Sequence, residues 1–329
     1  MRPFRFERAA DAPHAVALLG DAGDARYLGG GTNLVDLMRL GVETPGTLID
    51  VTRLADLDRI EEIDGGGLRI GAAVRNSDLA ADPRVRERYP VLAEAVLHGA
   101  SGQLRNLATV GGNLLQRTRC AYFTDVTKPC NKRTPGTGCP AREGHHANHA
   151  IFGHSEHCVA THPSDMAVAL AALEATVHVQ GQTSGRSIPI PGFHRLPEDA
   201  PHRDTLLEPG ELITAVELGP PPAPASHQCY RKVRERRSFA FALVSIAAVL
   251  DLADDGAARD VRIALGAVAH VPWRATAAEQ ALRGAAITEE RVSEAARAEL
   301  ERARPLRDND YKVDLTHNLI ATTLLELAA

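Results

Sequence analysis

The sequence predicts an α+β protein built in two parts, and three observations carry that reading. Short strand-like and helix-like stretches alternate through the first half of the chain. A proline-dense break, Gly219-Pro220-Pro221-Pro222-Ala223-Pro224-Ala225-Ser226, then interrupts them. Beyond it, strand-like runs are followed by helical ones, the order of an α+β unit. Proline at that density continues neither a strand nor a helix, so the boundary is placed there, with parts at 1–222 and 223–329. A chain of 329 residues, 44% of them apolar, has room for two domains and a sizeable core.

The elements follow in order. Arg26–Leu28 reads as a strand running into Gly29–Gly31, and Asn33–Leu40 has helical spacing through Leu34, Leu37 and Met38. Leu48–Val51 is strand-like, as is Leu68–Gly71 after the turn Asp64–Gly67. A single helix is predicted from Arg84 to His98, with Val85, Leu92, Ala95 and Val96 on one side. Ser164 reads as the N-cap of a helix reaching Ala175; a strand at Thr176–Val179 and a turn at Gly181–Gly185 come next. After the break, strands are predicted at His227–Val233, Phe241–Leu250 and Val261–Val268. Helices are predicted at Ala275–Arg283, Glu289–Arg302 and Leu315–Leu327.

Composition removes several function classes. The net charge is −5 with both signs mixed, and the densest basic stretch, Arg231–Arg237, is too short for a nucleic-acid surface. The longest apolar run, Ala240–Leu250, falls well short of the ~20 residues that span a bilayer. Met1–Gly20 mixes Arg2, Arg5, Glu7, Arg8 and Asp11 among its apolar positions and matches no export signal. The expectation is a cytoplasmic protein, or a periplasmic one if exported with a partner that carries a signal.

Leu28-Gly29-Gly30-Gly31-Thr32-Asn33-Leu34 lies between a strand and a helix. Glycines there let successive backbone N–H groups face a phosphate, and the helix N-terminus adds partial positive charge. Thr109-Val110-Gly111-Gly112-Asn113-Leu114 offers the same chemistry. Together the two loops could hold both phosphates of a dinucleotide without any Lys or Arg; either could also be a plain tight turn. Neither has G-x-G-x-x-G spacing, which disfavours a Rossmann site.

Four of the five cysteines, Cys120, Cys130, Cys139 and Cys158, lie in Arg117–Thr161, separated by nine, eight and eighteen residues. That segment is rich in Pro, Gly, Asn and His, shows little periodicity and suggests no hydrophobic core of its own. Such a loop is disordered or is organised by something bound. Four thiolates suit a [4Fe–4S] cluster or a structural zinc. No C-x-x-C pair is present, while histidines at 145, 146, 149, 154, 157 and 162 keep zinc open, as unligated thiols also remain. Cys229, on a predicted strand, reads as a small core residue.

Arg26–Leu34, Arg105–Leu114 and His162–Ala167, in that order and spacing, resemble the three successive FAD motifs of flavin (medium) subunits in the xanthine dehydrogenase family. Pro209–Ile213 and Tyr230–Arg234 resemble further segments, so the resemblance covers essentially the whole chain. It implies a PCMH-type (vanillyl-alcohol-oxidase-like) FAD domain of two α/β subdomains, 1–55 and 56–222, followed by a CO-dehydrogenase-flavoprotein-like α+β domain. Position by position, Arg26, Tyr27, Leu28, Gly29, Gly30, Gly31, Thr32, Asn33 and Leu34, with Thr109, Gly111, Gly112 and Asn113, would wrap the FAD diphosphate. Asp165 would accept from ribitol or ribose hydroxyls, a role open to an ionised acceptor; it also suits a helix N-terminus on its own account. Ile213 would pack near the flavin and Lys232 would sit close to it, although Lys232 also reads as a solvated strand residue.

Most flavin subunits of the family lack the insertion 117–161. Around its cysteines the sequence resembles bacterial aldehyde oxidoreductases whose flavin subunit carries an extra [4Fe–4S] cluster; hydroxybenzoyl-CoA reductase flavin subunits have a comparable insertion. The implied partners are a molybdenum-cofactor large subunit and a [2Fe–2S] small subunit, in a heterotrimer or its dimer. Electrons from aldehyde oxidation would pass through the small subunit to FAD and on to an external acceptor. No acid, base or nucleophile constellation stands out, which fits a subunit whose chemistry belongs to its cofactor. Two rival readings are an assembly subunit with a zinc-organised loop and a free-standing flavin oxidase.

Overall fold

The computed structural model describes residues 1–223 and 227–329; Pro224–Ser226, the end of the proline-dense break, lie outside the described residues. Three sheets organise the chain. The first is parallel, with β3 (Thr47–Asp50) between β1 (Arg5–Arg8) and β2 (Ala25–Leu28). The helix Ala12–Ala22 links β1 to β2; its N-cap Asp11 accepts from the His14 N–H, closing the first turn.

The second sheet has the order β4 (Ile60–Glu62), β5 (Leu68–Gly71), β8 (Leu212–Leu218), β6 (Thr176–Gln180), β7 (Gly185–Pro189), antiparallel throughout. Its β8 is not among the predicted strands; within Leu212–Leu218 only Thr214 and Glu217 are part-exposed, three residues apart, so it shows no two-residue alternation. The third sheet runs β12 (Trp273–Arg274), β11 (Ala258–Gly266), β10 (Val244–Leu252), β9 (His227–Val233).

The third sheet explains the longest apolar run in the chain. Alternate side chains of a strand point to opposite faces. On β10, Ala247 and Val249 join a core with the helices Pro90–His98 and Asp165–Ala172, while Val244, Ile246, Ala248 and Leu250 join a core with the C-terminal helices. Both faces are covered, so the strand reads as continuously apolar. All eight residues of Asp165–Ala172 are buried between layers, which seats the N-terminus of that helix deep in the molecule.

Several expectations need correction. The helix predicted over Arg84–His98 is two helices, Pro83–Arg88 and Pro90–His98, because Pro90 lacks an N–H and starts a new helix at its own first turn. The strand placed at Phe241–Leu250 begins at Val244, leaving Phe241 half-exposed in a loop. The final helix starts earlier, at Tyr311.

The cysteine insertion is ordered and does have apolar anchors, contrary to its composition. Phe123 is fully buried with Leu37 and Cys130, and Ile151 and Phe152 are fully buried in the C-terminal core. Polar side chains close its turns: Asn131 Oδ1 accepts from Gly138 N–H, and Thr137 Oγ1 from Cys130 N–H.

Candidate functional site

The two glycine loops lie against each other. A Cβ on Gly30 would stand 1.8 Å from the Leu107 carbonyl oxygen, and one on Gly29 would stand 2.7 Å from Thr109 Oγ1. Gly31 has φ +73°, open to glycine at no cost. Glycine at 29 and 30 therefore serves loop-to-loop contact in the first place.

The loops differ in what they offer a ligand. Among the described residues, none of the N–H groups from Gly29 to Leu34 has an acceptor within the chain. Six successive donors without partners are the material of an anion cradle, although of these residues only Thr32 and Asn33 line the cavity described next. In the second loop the donors are spent. Val110 N–H donates to Val74 O, Gly111 N–H to Ala72 O, Asn113 N–H to Thr109 O, and Gly112 N–H to Thr109 Oγ1. Thr109 thus acts as the N-cap of the short helix Val110–Leu114.

A cavity of about 760 Å³ opens beside these loops, within the range of cofactor sites. Its wall includes Thr32, Asn33, Gly112, Asn113, Asp165 and Lys232, so residues from all three motifs and from β9 meet there. Asn33 Nδ2 and Asn76 Oδ1, both buried in that wall, have no partner among the described residues. Buried polar atoms are rarely left orphaned, and these two suit a polar ligand. The cradle, the orphaned amides and the volume all fit FAD.

Asp165 and Lys232 form a knot at the seam with the third sheet. The Asp165 carboxylate accepts from Lys232 Nζ at 2.7 Å and from the Tyr230 hydroxyl, and Lys232 Nζ also donates to His98 O. Burial and the neighbouring carboxylate hold the Tyr230 phenol well above its ordinary range, so it stays a donor. Lys232 is a buried ion-pair partner, with its side chain 1% exposed, and not a solvated strand residue.

Other predicted site residues lie outside the cavity wall. Ile213 is buried in the core on β8, and Gly111 backs onto Ala72. Arg26 pairs with Glu43 near the surface, and the Tyr27 hydroxyl donates to Gly210 O, tying the first sheet to the Pro209–Ile213 segment. Leu28 ends β2 and Leu34 opens a helix.

The four insertion cysteines line one small cavity, with Cys130 and Cys158 buried. The Cys158 thiol donates to Cys139, which lowers the Cys139 pKa, while burial pushes Cys120 up to about 11. His149 Nε2 stands 3.2 Å from Cys120 Sγ. Among the described residues, no three His, Cys, Asp or Glu side chains are gathered closely enough to hold a single ion. Four soft donors around one space suit a thiolate-bound group. Cys120, with Thr118, faces the large cavity as well, so the two sites share a wall. Cys229 is half-buried on β9, far from this group in sequence.

Sequence reasoning missed Arg119, Asn76 and Phe241, which also line the large cavity, as does His149, read there only as a possible zinc ligand. A lone arginine in an irregular loop carries no periodic or motif signal, and Asn76 and Phe241 are brought in only by tertiary packing.

Known proteins give the chain its family. Residues 2–221 match the FAD binding domain in molybdopterin dehydrogenase, and residues 228–327 the CO dehydrogenase flavoprotein C-terminal domain. The chain is 51% identical to the aldehyde oxidoreductase FAD-binding subunit PaoB of Escherichia coli, over 100% of this chain and 99% of that one. It is 31% identical to the carbon monoxide dehydrogenase medium chain of Hydrogenophaga pseudoflava, covering 98% and 97%. A solved structure of the Hydrogenophaga pseudoflava enzyme lacking the Mo-pyranopterin moiety superposes with TM-score 0.77 at 29% identity, covering 99% and 97%.

Proposed function

The chain belongs to the FAD-binding subunits of the molybdopterin dehydrogenases, the xanthine dehydrogenase family, and is an oxidoreductase subunit; from that premise we propose that it is the flavin subunit of an aldehyde-oxidising complex. In this reading it takes electrons from a molybdenum-cofactor large subunit by way of a [2Fe–2S] small subunit and passes them to an external acceptor. The 51% identity over the full length of an aldehyde oxidoreductase subunit supports aldehydes as the substrate class. No helix among the described residues is long and apolar enough to cross a membrane. The complex would be cytoplasmic, or periplasmic if a partner carries the export signal.

The observation that carries the assignment of residues is the run of unpartnered N–H groups from Gly29 to Leu34 ending at a cavity of cofactor size. Those N–H groups would hold the diphosphate, with Thr32, Asn33, Gly112 and Asn113 around it. Lys232 and Tyr230 hold Asp165 in fixed orientation, leaving lone pairs on its oxygens for cofactor hydroxyls. Bound FAD would supply the redox chemistry, and the chain its position and electrostatics.

Cys120, Cys130, Cys139 and Cys158 are proposed to hold a [4Fe–4S] cluster. Zinc demands all four sulfurs ~2.3 Å from one point. The four thiols line one small cavity, and the resemblance of the surrounding sequence to cluster-bearing flavin subunits is what favours the cluster over zinc.

The absorption spectrum and the iron, sulfide, zinc and flavin content of the anaerobically purified chain test the proposal together. Flavin bands, about four iron and four sulfide per chain, and loss of both on Cys130→Ser are expected. A colourless chain would remove the FAD assignment; about one zinc and no iron would remove the cluster and spare FAD.

A further inference from the structure

We propose that Arg119, contributed by the cysteine insertion, is the phosphate-binding cation of the flavin cavity, so that flavin retention depends on the insertion being in place. This rests on the FAD and cluster assignments above.

Three cationic side chains besides histidine stand in the cavity wall: Arg119, Lys232 and Arg236. Lys232 is committed to Asp165, and Arg236 donates to the Phe239 carbonyl. Among the described residues Arg119 makes neither a hydrogen bond nor an ion pair. Its guanidinium lies over the Phe241 ring, Cζ 4.9 Å from the centroid, a contact that anchors the group and uses none of its N–H donors. Arginine cannot shed its proton to escape partial desolvation. A guanidinium held this way is built to receive an anion on its open edge.

The position selects which anion. Asp36 lies in the first turn of the helix that begins at Leu34, Thr32, Asn33, Asp36 and Arg119 all line the cavity, and the Arg117 N–H donates to Asn33 Oδ1. Arg119 thus follows by two residues the contact that ties the insertion to the first glycine loop, where a diphosphate would bring two negative charges.

Arg119 also has an address that ties the two cofactors. It precedes Cys120, whose sulfur lies in the wall between the cavities. Fixing that thiolate in a cluster fixes the Arg119 backbone, while Phe241 of the C-terminal domain fixes its side chain. Three separate stretches of chain thus meet at one charge.

The test uses the full chain, stripped of flavin and titrated with FAD and with riboflavin, which lacks phosphate, by flavin fluorescence. R119A should weaken FAD roughly ten- to a hundredfold, the range of one lost charge-assisted bond. It should leave riboflavin affinity and iron content unchanged. R119K, which keeps charge but not the fork, should fall between, and the iron-depleted wild type should lose FAD affinity as R119A does. FAD affinity in R119A within a factor of about three of wild type overturns the proposal, as does equal loss of FAD and riboflavin. A wild-type chain that binds neither flavin overturns the cavity assignment itself. Should R119A fail to fold, wild-type affinity across ionic strength decides: FAD must weaken with salt and riboflavin must not.

Discussion

Gly30→Ala is the sharpest probe of the site, because its effect follows from two numbers. The added Cβ would stand 1.8 Å from Leu107 O and 2.4 Å from Leu107 C, where real Cβ atoms stay beyond 3.0 Å. Both obstacles are backbone, so the two glycine loops must separate by at least about 1.2 Å. Overpacking of that kind costs about 1–3 kcal/mol. The shift also moves N–H donors past useful hydrogen-bond length, and each charge-assisted bond lost is worth roughly 1.5–3 kcal/mol, about ten- to a hundredfold in affinity. Gly29→Ala meets only Thr109 Oγ1 at 2.7 Å, a side chain that can turn, and Gly102→Ala meets nothing within 4 Å. The expected order of damage, in urea midpoint and in FAD retained after desalting, is Gly30 far above Gly29, with Gly102 neutral. A Gly30→Ala chain with wild-type midpoint and full FAD would refute the reasoning.

Lys232→Met leaves the Asp165 carboxylate buried without its cation and should destabilise the chain by about 3–5 kcal/mol in urea unfolding; a loss under about 0.5 kcal/mol would return Lys232 to the solvated role. His162, His194 and His270 are buried with pKa values pushed down by desolvation, His194 to about 4. The unfolded chain gains these protons as pH falls through about 6.5 while the folded chain does not, so stability is full above that pH and falls below it, by about 4 kcal/mol at pH 5.5 for the three. Unfolding free energies that stay flat from pH 7.5 to 5.5 would count against buried neutral rings. In a Cys130→Ser chain, limited proteolysis should cut within 124–140 first and spare 145–152, whose backbone is held from the C-terminal domain; uniform cleavage across 117–161 would contradict the anchoring seen here.

Much of the fold was legible because local signals and tertiary demands agreed. Ser164 reads as an N-cap and is one, its Oγ accepting from Ala167 N–H. The turn at Gly181–Gly185 closes the β6–β7 hairpin, with Gln180 opposite Gly185. The helix broken at Pro90 was misread because its apolar positions keep helical period across the break. The site was legible in outline only. Thr32, Asn33, Gly112, Asn113, Asp165 and Lys232 do share one cavity wall, but the bonds that occupy the second loop's N–H groups and the contact between residues 30 and 107 arise from tertiary packing, which no local pattern encodes. Ile213 shows the converse: an apolar residue in a motif lies on β8 with its side chain in the core.

The insertion is the place where composition misled most, and the reason is energetic. Ordering a backbone residue costs about 1–2 kcal/mol, so a segment as long as 117–161 without a core of its own calls for an external organiser. A bound cluster is one such organiser, but the chain supplies others. Arg117 donates to Glu43 and Asp204, and the buried Lys132 ammonium donates to Asp204 and to Pro201 O, which holds the Asp204 carboxyl well below its ordinary range. At the far end Asn309 Nδ2 and Lys312 Nζ both donate to His149 O. Among the described residues Lys312 pairs with no carboxylate, and desolvation pushes its pKa down to about 7. A lysine fully buried against carbonyls is costly unless the backbone it grips is worth fixing. What it grips is His149, whose ring reaches Cys120 at the wall between the two cavities. The C-terminal helix therefore reaches, through one carbonyl, the point where the thiols and the flavin cavity meet, and the domain downstream of the proline-dense break is structurally part of the site.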